Sequence, residues 1–305
     1  MPVADLGLPA GAEENGSWIH SPPLQRQCAK LYGACMAARY GKTLQIAPIL
    51  LIILVLISLH ALAQTDCADG NSPLETTQPK NITVPELIQK LGANESKVRE
   101  ARSHHTYTQD VLVQTLNGTA VDGQFHEVTN ISYDDKGKRI EKVTFAEQST
   151  LRGVQLSAED IADIREFMPL ILASEILPEY NVTYSGRQHV DDLDTYVFRV
   201  EPKKVEKNKR YYQGRIWVDD HDLQIVKLCG KSVPEIIQKK KKAPQEVRPT
   251  FVTYRQLVDG LWFPAYVRVD DTLTFGVESI HVRETIKFKD YKRGATGAAA
   301  AKTSP

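Results

Sequence analysis

Residues 278–291 read ESIHVRETIKFKDY and form the most regular stretch of the chain. Four apolar side chains fall on one face of an extended strand: Ile280, Val282, Ile286 and Phe288. Polar and charged side chains occupy most of the alternate positions. A period of two is typical of a strand that buries one face and exposes the other. The stretch therefore predicts a half-buried antiparallel strand.

The same period of two recurs in segments that are separated by turn residues such as Asn117-Gly118. With the stretch above, strands are predicted at 104–116, 122–134, 138–149, 181–189, 193–201, 210–219, 223–229, 249–258, 261–270 and 278–291. Two helices interrupt this order, since capping boxes that begin at Thr83 and Ser157 precede apolar residues at helical spacing. The pattern predicts a mainly β (α+β) domain with a single large antiparallel sheet that curls and is covered by helices.

The composition is that of an ordinary globular protein, with 42% hydrophobic and 25% charged residues over 305 positions. The 38 Lys and Arg residues balance 38 Asp and Glu residues, so charge gives no reason to expect a nucleic-acid partner. Residues 64–305 contain no Gly-x-Ser-x-Gly, His-Glu-x-x-His, phosphate-loop or dinucleotide-binding motif. We therefore expect no enzyme, and we predict no catalytic residue, metal site or cofactor.

The first 63 residues have the pattern of an N-terminal extension and signal peptide. Three basic residues precede an apolar run: Lys30, Arg39 and Lys42. The run covers residues 49–57, and residues 61–63 (Ala-Leu-Ala) form a small-x-small cleavage site. Met36 would open a signal peptide of ordinary length and is a second candidate for the start of translation. We predict export with cleavage, and retention of residues 46–63 as a membrane anchor is the alternative.

The rest of the chain divides by composition into three parts. Residues 64–83 predict a flexible linker, residues 84–293 hold the periodic segments, and residues 294–305 predict a disordered tail. Cys67 and Cys229 remain after loss of the signal peptide. An oxidising compartment favours a disulfide between them, but the position of Cys67 in a linker argues against it, so the pairing stays open.

One segment resembles a known family. Residues 211–227 read YYQGRIWVDDHDLQIVK and are similar to the strand-turn-strand signature of the outer-membrane lipoprotein-sorting proteins, the superfamily of the periplasmic carrier LolA and the receptor LolB. Segments 140–146, 177–182 and 282–291 agree with the same family. The resemblance covers about residues 84–292. It implies an unclosed antiparallel β-barrel of about ten to eleven strands, lidded by two or three helices, with an apolar interior that takes acyl chains.

This resemblance implies a monomeric, periplasmic carrier that shields the acyl chains of a lipid or lipoprotein and meets partner proteins at the envelope membranes. Shielding is needed because each exposed methylene costs about 0.8 kcal/mol relative to burial. The lining of its hydrophobic cavity is predicted from alternation on the strands and from helical spacing in the lid: Phe125, Phe145, Ile164, Phe167, Met168, Phe198, Ile216, Val218, Phe263, Val282 and Ile286.

Two other functions stay open at this point. An envelope sensor or interaction module on the same fold is favoured if residues 46–63 are retained, because a tethered protein does not shuttle freely. The other is a secreted hydrolase with an unrecognised site, for which Asp219 and His221 are the candidate residues.

Two polar runs have a simpler interpretation. Residues 219–222 (Asp-Asp-His-Asp) lie between two predicted strands, so we interpret them as a turn in preference to a metal site. Residues 239–242 are four lysines in a long connection between predicted strands. We interpret them as a solvated loop in preference to a docking patch for an acidic partner or anionic headgroups.

Overall fold

The computed structural model describes residues 67, 72–169, 172–206, 209–234, 236–237, 246–275 and 277–294. The predicted signal segment, the lysine run at 239–242 and the tail beyond Gly294 lie outside these residues. Within them, no helix has both the length and the hydropathy needed to cross a membrane.

The elements follow the predicted order. The helices are α1 (Val84–Arg102), α2 (Ala158–Ala162), a π-helix (Asp163–Phe167) and a 3-10 turn (Leu177–Glu179). The strands are β1 (His105–Asn117), β2 (Ala120–Tyr133), β3 (Arg139–Ala146), β4 (Tyr180–Val190), β5 (Leu193–Pro202), β6 (Tyr211–Asp219), β7 (Ile225–Val233), β8 (Ile236–Ile237), β9 (Glu246–Val247), β10 (Phe251–Val258), β11 (Leu261–Phe275) and β12 (Glu278–Arg293). Every predicted strand is present, and β8 and β9 are additional.

Ten strands form one antiparallel sheet in the order β3-β2-β1-β12-β11-β10-β7-β6-β5-β4, and β8 pairs with β9 apart from it. Strand β12, which holds the most regular stretch, pairs its Ile286 with Val111 of β1 on one side and with Val267 of β11 on the other. Among the described residues, the outermost strands β3 and β4 do not pair with each other, so the sheet is not closed. The predicted single, unclosed antiparallel sheet accompanied by helices is confirmed.

The face of the sheet that packs against the helices is called the inner face. Val111 and Ile286 are buried on it, and Leu87 and Leu91 of α1 are fully buried in the same cluster. A smaller buried cluster around Trp217 lies on the opposite, outer face. Most of the inner face is therefore a filled core.

Helix α1 runs without a break through Gly92. A Cβ atom at this position would lie 2.3 Å from Leu177 Cδ1, so glycine leaves room for the Leu177 side chain of the 3-10 turn beside the helix. Further along the helix, the Glu95 carboxylate accepts two hydrogen bonds from the Arg255 guanidinium of β10, at 2.8 and 2.9 Å, and both side chains are fully buried. This pair fixes α1 on the inner face.

Residues 72–77 lie along the open side of β4 and are called the strap. Glu75 and Arg187 exchange two backbone hydrogen bonds, at 2.8 and 2.7 Å. Gly186 permits this approach, because a Cβ atom there would lie 2.3 Å from the Glu75 carbonyl oxygen. The strap therefore extends the sheet beyond β4.

A disulfide joins Cys67 to Cys229 of β7, with the two Cα atoms 5.5 Å apart. The sequence left this bond open, because the composition around Cys67 is that of a linker. The bond and the strap hold the described part of residues 64–83 against the sheet.

Candidate functional site

A short segment, residues 158–167, faces the inner side of β1–β3 and is called the lid. It begins with the predicted capping box, in which the Asp160 N–H donates to Ser157 Oγ at 3.2 Å and the Ser157 N–H donates to Asp160 Oδ2 at 2.8 Å. Helix α2 buries none of its residues, whereas Ile164 of the following π-helix is buried. The α-helix ends at Ala162, and the π-helix continues the segment to Phe167.

A small cavity lies between the lid and strands β1–β3, with a volume of about 20 Å³. Its apolar wall is formed by Val111, Phe125, Ile161 and Ile164. A water molecule needs roughly 10–15 Å³ by this kind of measure, whereas an acyl chain needs room for a row of methylene groups. With the lid in this position, the cavity is the size of a water site.

Polar side chains form the rest of the lining, and the part around Glu141 and Arg165 is called the mouth: Gln109, Glu127, Thr129, Glu141 and Arg165. Arg165 Nη2 of the lid donates to Glu141 Oε2 of β3 at 2.5 Å, and Arg139 Nε donates to Glu141 Oε1 at 2.7 Å. Arg139 also donates to the Tyr107 hydroxyl and to Gln109 Oε1, both at 2.7 Å. These residues are not predicted from the sequence, because alternation is used there to find apolar side chains. A carboxylate at an inward strand position was the available signal.

Two arginines hold the lid on its other side. Arg248 pairs with both Asp160 and Asp163, and Arg210 pairs with Asp163 at 2.5 Å. Burial raises the pKa of Asp163 to about 6, although the two arginines oppose that shift. The lid is therefore attached by ion pairs on both sides, and those of Arg248 are the more deeply buried.

A buried carboxyl group faces the lid from β12. Glu284 is 7% exposed, and its Oε1 has no hydrogen-bond partner among the described residues. Burial raises the pKa of Glu284 to about 8, and the negative charges of Asp160 and Asp163 add to the shift. Glu284 is therefore protonated at neutral pH.

The predicted lining residues lie mostly on the inner face. Phe125 and Ile164 line the cavity. Six others are buried in the core cluster: Met168, Phe198, Ile216, Val218, Val282 and Ile286. Phe263 is fully buried, with its ring stacked on Tyr291 at 5.1 Å between centroids. The side chain of Phe167 lies outside the part of the chain that the structure describes. Alternation thus identifies most of the side chains that point to the inner face, but most of these pack in the core and do not line a cavity.

Phe145 lies on the outer face, not on the inner face that alternation predicts. Thr129 pairs with Val143, but Val128 pairs with Phe145, so β3 carries one extra residue at this point. The Phe145 ring lies 5.0 Å from the His126 ring, and the residue is 44% exposed. One inserted residue reverses the direction of the side chains that follow it, and the sequence pattern carries no sign of the insertion.

Residues 219–222 form a turn. The Asp222 N–H donates to Asp219 Oδ2 at 3.2 Å, and Trp262 Nε1 donates to Asp222 Oδ2 at 2.8 Å. Asp220 pairs with Arg187 of β4. Within the described ranges, no group of three or more His, Cys, Asp or Glu side chains is arranged to hold a metal ion. The carboxylates of this turn therefore bond to the backbone of the turn and to side chains of neighbouring strands.

No protein-family model and no curated protein matches this chain. Similar solved structures include a DUF1329 family protein from Desulfovibrio piger, at 16% identity and a TM-score of 0.37, with 73% of this chain and 96% of that chain covered. A LolA superfamily protein from Nitrosomonas europaea has 15% identity and a TM-score of 0.32, with 69% and 93% covered. An outer membrane lipoprotein-sorting protein domain from Vibrio parahaemolyticus has 12% identity and a TM-score of 0.32, with 68% and 94% covered.

The motif in residues 211–227 resembles the same superfamily. The Nitrosomonas europaea structure is named for the LolA superfamily, and the Vibrio parahaemolyticus structure is named for lipoprotein sorting. At such identities and TM-scores, the likeness assigns no activity to this chain.

Proposed function

We propose that this protein is exported to the periplasm, where it binds the acyl chain of a lipid or lipoprotein between the lid and strands β1–β3 and carries it. The observation that carries the proposal is the apolar part of the cavity lining, which includes Phe125 and Ile164, under a lid whose α-helix has no fully buried residue. The acyl chain enters when the lid moves away. Each methylene that it removes from water contributes about 0.8 kcal/mol to binding.

The lid can lift at the mouth at lower cost than α1 can leave the sheet. The Arg165–Glu141 pair is partly solvated, with side chains 45% and 27% exposed, and such pairs contribute about 1 kcal/mol or less. The Glu95–Arg255 pair of α1 is fully buried, and breaking such a pair costs about 3–5 kcal/mol. Because Arg248 holds the start of the lid in a buried position, the lid pivots about that end.

Lifting the lid separates Arg165 from Glu141 at the mouth. A guanidinium in this place suits the oxygen atoms of an acyl ester or an anionic headgroup, since its N–H groups form a planar fork. Arg139 stays bonded to Tyr107 and Gln109 on the strands. The mouth therefore offers a polar contact for the head of a ligand whose chain lies on the apolar wall.

Titration of a fluorescent fatty acid into the purified protein tests this proposal. We expect saturable binding by the wild-type protein and its loss in Phe125→Glu, which places a carboxylate in the apolar wall. Phe145→Glu is the matched control, because Phe145 lies on the neighbouring strand and on the opposite face. Absence of binding by the wild-type protein, or an equal loss in both variants, would overturn the proposal.

A second candidate function, an envelope interaction module on the same fold, is favoured by the water-sized cavity. A domain whose interior is filled can act through its surface instead. Retention of residues 46–63 as an anchor would support this function. N-terminal sequencing of the exported protein distinguishes a cleaved chain from an anchored one.

A further inference from the structure

The two edge strands of the sheet differ in what covers them. At β4, the strap adds backbone hydrogen bonds through Glu75 and Arg187. At β3, one side pairs with β2, and no described residue pairs with the other side. An edge strand with unpaired N–H and C=O groups is a template for a further strand. The strap shows that this sheet accepts an added extended segment at an edge.

Strand β3 also exposes apolar side chains along its length. Ile140, Val143 and Phe145 are 46%, 53% and 44% exposed. Val143 lies opposite Thr129 on the inner side, whereas Ile140 and Phe145 lie on the outer side. A strand added next to β3 would thus find apolar contacts on both faces of the sheet.

The hairpin that leads into β3 carries positive charge without internal partners. Three lysines form no ion pair among the described residues: Lys136, Lys138 and Lys142. The nearby Asp134 carboxylate accepts two backbone N–H groups of the turn, at 2.9 and 2.8 Å, and Glu141 is bonded to two arginines. Asp135 is the remaining carboxylate of the hairpin. Residues 134–146 hold four basic and three acidic residues, so it is the three lysines without ion pairs that favour an acidic partner.

We infer that β3 is a docking site for an extended, acidic segment of another protein, which adds to the sheet as a further strand. Main-chain hydrogen bonds along β3 set the register of the added strand, and the apolar side chains pack against it on both faces of the sheet. The lysines favour a segment with negative charge. Lysines on an edge strand also discourage pairing between copies of one protein. That role alone does not account for β3, because three exposed apolar residues on the same strand favour pairing. This site is the free edge of β3, whereas the acyl-chain site is the inner face under the lid.

A synthetic peptide of alternating Glu and Val residues is the probe. We expect saturable binding that weakens as salt is added, together with slower amide exchange in residues 139–146. A peptide with N-methyl groups on alternate residues should not bind, because it cannot complete the hydrogen bonds. Lys142→Glu should weaken binding roughly tenfold, and Val143→Ser should weaken it as well. Lys287→Glu, on the exposed side of the central strand β12, is the matched control and should bind as wild type.

Four results would overturn the inference. The first is no binding of the acidic peptide to the wild-type protein. The second is protection from exchange outside residues 139–146. The third is equal binding by Lys142→Glu and wild type. The fourth is a dimer in analytical ultracentrifugation that the peptide does not dissociate, since the edge would then belong to a second copy. Fatty-acid binding should be unchanged in Lys142→Glu, so failure of this inference and failure of the acyl-chain proposal are distinguishable.

Discussion

Phe125 of β2 and Phe145 of β3 lie on neighbouring strands and face opposite sides of the sheet. Phe125 lines the cavity under the lid, and Phe145 packs against His126 on the outer face, with ring centroids 5.0 Å apart. The extra residue in β3 after Val143 separates the two directions. One strand pair therefore presents one apolar ring under the lid and another on the outer face of the edge strand.

Removing the bond between the lid and β3 should speed ligand entry. In Arg165→Ala the lid loses its bond to Glu141, and since this pair contributes about 1 kcal/mol or less, the rate of fatty-acid uptake should rise by up to about fivefold. Stopped-flow fluorescence measures that rate. Arg199→Ala removes another largely exposed pair, with Glu201 on β5, and should leave it unchanged. A slower uptake in Arg165→Ala would show that the pair does not hold the lid closed.

Breaking the buried pair under α1 should destabilise the whole domain. Arg255→Met leaves the Glu95 carboxylate buried without its partner, so we expect the free energy of unfolding to fall by about 3–5 kcal/mol in urea titrations. The double variant Glu95→Leu/Arg255→Met should recover much of this loss, because no buried charge remains. Lys209→Ala, which removes an exposed pair with Glu179, should change stability by about 1 kcal/mol or less. An equally small effect of Arg255→Met would contradict the role of the buried pair.

The buried carboxyl of Glu284 should make stability depend on pH. Its pKa is raised from 4.5 to about 8 by burial and by Asp160 and Asp163, so between these pH values the folded state binds more protons than the unfolded state. The contribution to stability is full below about pH 4.5 and is lost as the pH rises to about 8. Glu284→Gln should therefore melt at a higher temperature than wild type at pH 8 and at a similar temperature at pH 4.5. Glu278→Gln, an exposed position on the same strand, is the control, and an identical effect of both variants would contradict the prediction.

The disulfide should account for a large share of stability. Cys67 and Cys229 are 162 positions apart, and closing a loop of that size stabilises the folded state by about 5 kcal/mol in the chain-entropy estimate. The double variant Cys67→Ser/Cys229→Ser should unfold at lower urea concentration than the oxidised protein, and reductant should shift the wild-type protein to the same midpoint. A wild-type midpoint that is insensitive to reductant would mean that the bond is not formed.

The strands could be predicted from the sequence because alternation directly records which face of a strand is buried. The start of the lid could be predicted too, since the capping box at Ser157 and Asp160 is a local arrangement. The end of α2 could not, because the π-helix at 163–167 is held by Arg210 and Arg248, which lie far along the chain.

The candidate site was harder to predict for two physical reasons. Alternation gives the direction of a side chain such as Phe198, but only the packed layers show whether it meets a cavity or a filled core. Alternation also assumes an uninterrupted strand, and the extra residue in β3 reverses Phe145. The polar mouth at Glu141 and Arg165 depends on two elements that meet only in the folded chain.

Binding of spin-labelled stearic acid, followed by methyl NMR of the purified protein, tests the central claim most directly. If the acyl chain lies between the lid and β1–β3, the label should broaden the methyl signals of Val111 and Ile164 and leave Val252, in the outer-face cluster, unchanged. Broadening of Val252 with sharp signals from Val111 and Ile164, or no broadening at any concentration of the fatty acid, would contradict it.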